Sequence, residues 1–351
     1  MSTPERREYV VAVVGATGAV GAVLLDVLAE RSFPVSELRP LASERSVGTT
    51  VTFRGKPVRV DLAAADRFDG ADLVFFAATG TLSKDLGPEV GKRGGIAIDK
   101  SSTWRMDPRV PLVVPEINPD RVADHHGIIS CPNCTTIPLV MALEPLRRRA
   151  GLKSAVVTTF QSVTGAGLPG LEELEAQQAA RGAREPLPPP KAFPAQIADN
   201  VIPICETLQD DGYTSEERKL SDESRKILGL PSFEVSMTCV RVPVPVGHSA
   251  TVLIETERPL SVEEAAEALR AFPGIELYPN GPHPTPADIA GRDVVGVGRL
   301  RKDLHSDRLW LWEVGDNLRK GAATNAVQIA EELIRRGLVG SARETAGAIR
   351  A

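Results

Sequence analysis

The stretch that most limits what this chain can fold into is its first. A continuous apolar run, Tyr9–Val14, is followed by Gly15-Ala-Thr-Gly-Ala-Val-Gly21 and then by apolar residues at Val20, Val23, Leu24, Val27 and Leu28. Buried strand, glycine turn and amphipathic helix in that order open a Rossmann-like unit. Gly15 permits the tight turn, Gly18 lets backbone approach a pyrophosphate at the helix N-terminus, and Gly21 allows close packing of helix on strand. The spacing is G-x-x-G-x-x-G rather than G-x-G-x-x-G, and its place directly after an apolar strand favours a dinucleotide over an ordinary structural turn. The next strand ends at Leu41-Ala-Ser-Glu-Arg-Ser46, where the adenosine ribose is normally met. An acidic residue there suits a 2′-hydroxyl and an Arg a 2′-phosphate. Glu44 and Arg45 are adjacent, so charge alone leaves the choice open, while Ser43, Arg45 and Ser46 together incline the reading to NADP(H).

Residues 72–77 and 95–99, with a helix near 82–93 between them, continue the strand–helix–strand rhythm of a parallel sheet, and residues 51–60 read as a hairpin. Loops at the C-terminal ends of such strands surround the ligand, so Arg105, in the polar loop after Asp99, is a candidate anion clamp; a surface Arg is the plainer reading. After residue 150 the pattern changes. Residues 154–163 are β-rich and end in Thr164-Gly-Ala-Gly167, and a proline-rich stretch over 184–196 has no period of its own. Thr214-Ser-Glu-Glu217 is a capping box for a helix to about residue 228, with Glu216 and Lys219 on one face at i, i+3. Alternating segments at 234–246, 249–257, 293–302 and 308–314 predict an antiparallel sheet whose broad face covers helices or a partner subunit. Asp316-Asn-Leu-Arg-Lys-Gly-Ala-Ala323 opens a long amphipathic helix that returns to the first domain.

Between these parts lies Gly127-Ile-Ile-Ser-Cys-Pro-Asn-Cys-Thr-Thr136, an apolar run that turns into a helix start. A thiol delivered there by Cys134 meets backbone N–H donors and the positive end of the helix dipole, both of which favour thiolate. Cys131 and Cys134 form a C-x-x-C, which also fits a redox dithiol or half a zinc site, but no second Cys or His pair stands at ligand spacing, so no metal is expected. His248, at the Gly247 corner between two strands, is a candidate general acid/base, and Arg241 falls in the same run. His125, His126, His283 and His305 read as surface residues.

A net charge of −5 with interspersed signs provides no basic stripe for nucleic acid and no polybasic segment for a membrane surface, which points to a small-molecule partner. Four Cys in 351 residues make no disulfide framework. With no apolar signal region before Tyr9 and no run of membrane-span length, the protein is expected in the cytoplasm.

The stretches GATGAVG, SERS, SSTWRMDPRVPLVVPEIN, SCPNCTT, TFQSVTGAG, YTSEERK, CVRVPVPVGHS and DNLRKGAA, in this order over nearly the whole chain, resemble the aspartate-β-semialdehyde dehydrogenase family. The resemblance implies an α/β protein with a Rossmann-like dinucleotide-binding domain, residues 1–134 plus 317–351, and an α+β catalytic and dimerisation domain with a mainly antiparallel sheet, residues 135–316. It implies a homodimer that uses NADPH to make L-aspartate 4-semialdehyde from L-4-aspartyl phosphate, releasing phosphate, on the route to lysine, threonine and methionine. Carried onto matching positions, Cys134 is the nucleophile and His248 the acid/base, Gln161 positions the acyl intermediate and Asn133 supports the site. Arg241 clamps the substrate α-carboxylate, Glu216 its amino group, and Arg105 with Lys219 the phosphate. Gly15, Thr17, Gly18, Ala19, Val20, Ser43, Arg45, Ser46, Gly165 and Asn317 serve the cofactor.

The family usually has Asn where this chain has Lys100, a cation added near the expected anion site. A related reductase acting on N-acetylglutamyl phosphate shares the Cys/His logic; Glu216 discriminates, since a free α-amino group needs an acidic partner and an acetylated one does not. A catalytically silent NADP-binding paralogue is opposed by the joint presence of Cys134, Gln161, Arg241 and His248.

Overall fold

The computed structural model describes residues 7–340. The N-terminal residues before Arg7, read above for a targeting segment, and residues 341–351, assigned above to the cofactor domain, lie outside them. The chain divides into two compact units, Met1–Pro132 with Ala322–Ala351, and Asn133–Gly321.

In the first unit, β1 (Tyr9–Val14) leads through the glycine turn into α1 (Ala19–Glu30) and β2 (Val35–Ala42). A short hairpin, β3 (Thr50–Phe53) and β4 (Lys56–Arg59), precedes β5 (Asp61–Leu62), β6 (Leu73–Phe76), α2 (Gly80–Lys92), β7 (Ile96–Asp99) and β8 (Ile128–Ser130). Six of these strands form one sheet in the order β5-β2-β1-β6-β7-β8, every pair parallel. Parallel strands are buried on both faces, which is why β1, β6 and β7 are nearly continuous apolar runs, rich in Val, Ile, Ala and Phe, without alternation. Strand order reverses beside β1, so the glycine turn lies at the switch point where such sheets open a crevice. The turn itself is drawn tight: Gly15 holds φ +86°, and a Cβ on Gly21 would fall 2.1 Å from the Gly15 carbonyl oxygen.

The second unit opens with α3 (Thr136–Ala150), then β9 (Ser154–Gln161), α4 (Leu168–Ala183), α5 (Ser215–Leu228), β10 (Glu234–Arg241), β11 (His248–Glu255), α6 (Val262–Ala271), β12 (Ile275–Tyr278), α7 (Pro286–Ile289), β13 (Val295–Lys302) and β14 (Leu309–Gly315). Its sheet runs β10-β9-β11-β14-β13-β12. It is mixed rather than wholly antiparallel, because β10 pairs with β9, and β12 with β13, in parallel. Strand alternation separates the faces: Ala155, Val157, Thr159 and Gln161 of β9 turn to the side covered by α3, α5 and α6, while Val156 is exposed and Thr158 and Phe160 are half-buried on the other. The chain returns to the first unit through a π-helical turn, Arg319–Ala323, into α8 (Thr324–Arg335), which a bidentate Glu331–Arg31 pair at 2.7–2.8 Å fastens to α1. Residues 184–196 are irregular, as their prolines predict, yet packed: Phe193, Ile197 and Ala198 join Val163 and Leu174 in a core of their own.

Glu313 of β14 is buried under the helices, and its Oε2 has no hydrogen-bond partner among the described residues. Burial holds its carboxyl well above the usual carboxylate range. A carboxyl raised in the folded state keeps its proton there while the unfolded chain ionises, so its own contribution to stability is greatest below the unfolded value of about 4.5 and falls as pH rises from it. Replacing Glu313→Gln should therefore flatten stability against pH between 5 and 8, measured by urea unfolding; parallel curves for variant and wild type would rule this out.

Candidate active site

The candidate catalytic residues converge at one end of the second unit's sheet. Strands β9 and β10 run parallel and finish in register at Gln161 and Arg241, and β11, antiparallel to β9, begins beside them at His248. Alternation turns Gln161 and Arg241 to the helix-covered face, where both are buried. Onto this corner α3 brings the turn that carries Asn133, Cys134 and Thr135, and the first turn of α5 brings Glu216 and Lys219. The helix α5 starts where the sequence predicts, with Thr214 Oγ1 accepting the Glu217 amide and the Glu217 carboxylate accepting the Thr214 amide.

Cys134 is half-buried and its Sγ lies 3.4 Å from Nε2 of His248. The other ring nitrogen, Nδ1, accepts the backbone N–H of Ser162 at 3.0 Å and lies 3.1 Å from the Ser162 hydroxyl. That hydroxyl donates to Asn317 Oδ1 at 2.9 Å, an oxygen that also accepts the Gly247 amide at 2.9 Å. Asn317 Nδ2 donates to Thr164 Oγ1 at 3.0 Å, which in turn donates to the Pro245 carbonyl at 2.8 Å. Asn317, placed with the cofactor residues by resemblance, is thus buried with both ends of its amide bonded inside this unit.

Asn133 ties the cysteine turn down. Its N–H donates to Glu223 Oε2 at 2.7 Å, its Oδ1 accepts the Thr135 amide at 2.7 Å, and its Nδ2 lies 3.0 Å from each oxygen of Glu216. Gln161 Nε2 adds a donor to Glu216 Oε1 at 3.0 Å and another bond to Thr135 Oγ1. Burial, and after it the neighbouring Glu206, push the Glu216 carboxyl above its usual range despite these donors. Lys219 stands 4.0 Å from Glu216 and hydrogen-bonds Glu206. Burial works against the Glu206 charge too, but the bond to Lys219 and its charge outweigh it and hold that carboxyl low.

Arg241 Nη1 donates to the Ser162 carbonyl at 2.7 Å, and its guanidinium lies 5.9 Å from the ring centre of Phe193. Its Nε and Nη2 have no protein partner among the described residues. A Cβ on Gly165 would sit 2.6 Å from Arg241 Nη1 and 3.0 Å from Cε1 and Nε2 of His248, so only glycine leaves that space open.

The remaining predicted residues lie in the first unit. Gly15, Gly18, Ala19 and Val20 form the turn and the start of α1, whose N-terminus no side chain caps. Thr17 Oγ1 donates to Ser46 Oγ at 3.1 Å and so joins this turn to the loop of Ser43, Glu44 and Arg45 after β2. Buried Arg105 donates through Nε to the Cys131 carbonyl at 3.1 Å and through Nη2 to that of Lys100 at 2.6 Å. The two sulfurs of the C-x-x-C belong to different units, Cys131 being fully buried with Asn325 Nδ2 3.3 Å from its sulfur. Among the described residues no group of three or more His, Cys, Asp or Glu could hold a metal ion, and no helix is long and apolar enough to cross a membrane.

Sequence reasoning passed over Ser162, Glu223 and Phe193. Glu223 had a signal: Glu216, Leu220, Glu223 and Ile227 recur at helical spacing, and two carboxylates inside a buried stripe demand partners. Ser162 and Phe193 had none beyond their neighbours in sequence.

Residues 10–125 match the family model for the semialdehyde dehydrogenase NAD binding domain, and residues 143–320 that for the semialdehyde dehydrogenase dimerisation domain. The aspartate-semialdehyde dehydrogenase of Aquifex aeolicus is 49% identical over 338 residues, covering 94% of this chain and 99% of its own. That of Bacillus subtilis is 45% identical over 341 residues, covering 94% and 98%. Among solved structures, aspartate semialdehyde dehydrogenase II from Vibrio cholerae, complexed with ASA, matches with a TM-score of 0.92 at 45% identity, covering 94% of this chain and 99% of that one. With a nucleotide-binding domain, a dimerisation domain and relatives of this identity along almost its full length, the chain belongs to the aspartate-semialdehyde dehydrogenase family of oxidoreductases.

Proposed function

We propose that this protein reduces L-4-aspartyl phosphate to L-aspartate 4-semialdehyde with NADPH, through a thioester on Cys134. The observation that carries this is a half-buried sulfur 3.4 Å from an imidazole nitrogen, in a corner where a buried guanidinium keeps donors unspent among the described residues. In this reading the Cys134 thiolate attacks the acyl carbon; the C–S bond forms, and the C–O bond to phosphate breaks with its electron pair going to the phosphate. Covalent catalysis divides one difficult reduction into two easier steps, because a thioester accepts hydride far more readily than a carboxylate. NADPH, when bound, supplies that hydride. His248 Nε2 gives a proton to the oxyanion formed on the acyl carbon, then recovers it as the C–S bond breaks and Cys134 leaves as thiolate. The Asn133 amide is already bonded to Glu223 and the Thr135 amide to Asn133 Oδ1, so the oxyanion depends on other donors, of which the imidazole is one.

Substrate polarity matches the corner. The α-carboxylate goes to Nε and Nη2 of Arg241, the α-amino group to Glu216, and the phosphate to Lys219 and Arg105. The raised carboxyl of Glu216 ionises readily once an ammonium group faces it. Gln161 and Asn133 position the acyl group through their bonds to Glu216 and Thr135.

The glycine turn suits a dinucleotide: α1 presents an uncapped N-terminus, and glycines at 15 and 21 draw turn and helix together where side chains would collide. Gly15, Thr17, Gly18, Ala19 and Val20 would hold the pyrophosphate and Ser43, Arg45 and Ser46 the 2′-phosphate, with Gly165 and Asn317 toward the nicotinamide. Arg45 is exposed and available for this. The first unit with α8 is the cofactor domain and the second the catalytic and dimerisation domain. A homodimer is supported by the outer face of the second sheet, where Phe160, Leu253, Trp310 and Trp312 are only half-buried and Val156 is exposed. We place the enzyme in the cytoplasm, on the route to lysine, threonine and methionine.

The assay is phosphate-dependent reduction of NADP by L-aspartate 4-semialdehyde. Cys134→Ser should lower turnover on the order of 10⁴-fold or more while NADP still binds, read by fluorescence quenching; substantial residual turnover would sink the thioester route. Arg241→Lys, which loses the planar fork, should raise KM for the semialdehyde about tenfold, and an unchanged KM would argue against the clamp. Arg45→Ala is expected to weaken NADP about tenfold and leave NAD unaffected; equal effects on both would remove the 2′-phosphate role.

A further inference from the structure

We propose that Ser162 is a positioning residue for His248, its amide and its hydroxyl setting the imidazole's protonation from opposite sides; the inference rests on the reaction proposed above. A backbone N–H can only donate, so the Ser162 amide, 3.0 Å from Nδ1, needs a lone pair on that nitrogen. The neutral ring therefore carries its proton on Nε2, facing Cys134 Sγ at 3.4 Å. Sulfur is the acceptor in that contact, a role that a thiolate fills better than a thiol, whose sulfur accepts only weakly. At rest the ring gives the nucleophile a hydrogen bond rather than taking its proton.

Turnover asks for a different state. Nε2 can hand a proton to the substrate oxyanion only if Nδ1 is protonated too, since otherwise the ring would be left as an imidazolate. The Nδ1 proton, taken from solution, then needs an acceptor, and the Ser162 hydroxyl oxygen lies 3.1 Å away. Its hydrogen is drawn off by Asn317 Oδ1 at 2.9 Å, which leaves an oxygen lone pair toward Nδ1. The Asn317 amide cannot turn over: Gly247 N–H fixes its oxygen at 2.9 Å and Thr164 Oγ1, itself donating to Pro245 O at 2.8 Å, fixes its nitrogen. One residue thus offers Nδ1 a donor for the neutral ring and an acceptor for the imidazolium.

The charged and titratable groups bordering the ring include Cys134 from the turn into α3 and Arg241 from β10, across Gly165. Glu216 and Lys219 on α5, with Glu206 beside them, stand beyond Gln161, and β14 presents Gly315 opposite His248. None of these changes when Ser162 is altered, so substitution there isolates the serine's contribution.

The test is the ¹⁵N chemical shifts of His248 in the full-length enzyme with labelled histidine, assigned by their loss in His248→Gln. In wild type the neutral ring should show Nδ1 unprotonated and Nε2 protonated. Ser162→Ala keeps the amide and removes the acceptor. It should lower the His248 titration by about one pH unit, the tenfold change in a proton equilibrium that a charged hydrogen bond is worth. The acidic limb of kcat/KM should move with it, and Ser162→Thr should return both toward wild type. A neutral wild-type ring protonated on Nδ1, or a titration that Ser162→Ala leaves in place, overturns the proposal. The shifts are read without turnover, so inactivity on the semialdehyde would count against the proposed reaction and not against the assignment of the ring.

Discussion

The hydrogen bonds of Asn133 hold the turn on which the nucleophile stands. Its backbone amide, side-chain oxygen and side-chain nitrogen each meet a buried partner, Glu223, the Thr135 amide and Glu216 respectively. Bonds to charged groups of this kind are worth about 1.5–3 kcal/mol each, and their loss would leave carboxylates buried without donors. The arrangement is stable only when complete. Glu223 and Glu216 lie on one stripe of α5, so a single helix grips the turn at two points and sets where Cys134 Sγ can be.

That rigidity leaves one buried group destabilised in its charged form and another short of partners. Glu216 is a carboxyl pushed up by burial and by Glu206, and Arg241 a buried guanidinium with two nitrogens lacking protein partners among the described residues. Neither would be retained in a core built for stability alone. In the proposed reaction each is answered by one end of an amino acid, ammonium to Glu216 and carboxylate to Arg241, so binding completes the electrostatics that folding left open. Phe193 against the Arg241 guanidinium shows how the irregular proline-rich stretch contributes: it packs as a small core and supports the cation from behind.

Much of this architecture is legible in the sequence because it is periodic or local. The apolar run of β1, the glycines of the turn, the Thr214 capping box and the alternation in β9, β11 and β14 each carry their own signal. What was not legible is pairing over long distances. The alternation in β9 and β10 is compatible with either direction, and their parallel match, with partners 80 positions apart, follows from α4 and α5 crossing between them. Strand β12 is four half-buried residues without alternation, and its existence depends on β13 beside it. Resemblance gives Asn317 to the cofactor; its bonds to Ser162, Thr164 and Gly247 span 155, 153 and 70 residues, which no local pattern reports.

Ser162 shows why the hardest residue to find sits beside one of the easiest. Gln161 ends β9 facing the helices, so continued alternation would turn the next side chain to the outer face of the sheet. The strand stops instead, and Ser162 becomes the residue before a short helical turn, Val163–Ala166. A serine there normally spends its oxygen on the amides of the turn it precedes. Here it makes no such bond, and the hydroxyl reaches across the sequence to His248 and Asn317. The same interruption aims its backbone N–H at the imidazole, so the break in the strand, rather than the strand itself, orients the acid/base group.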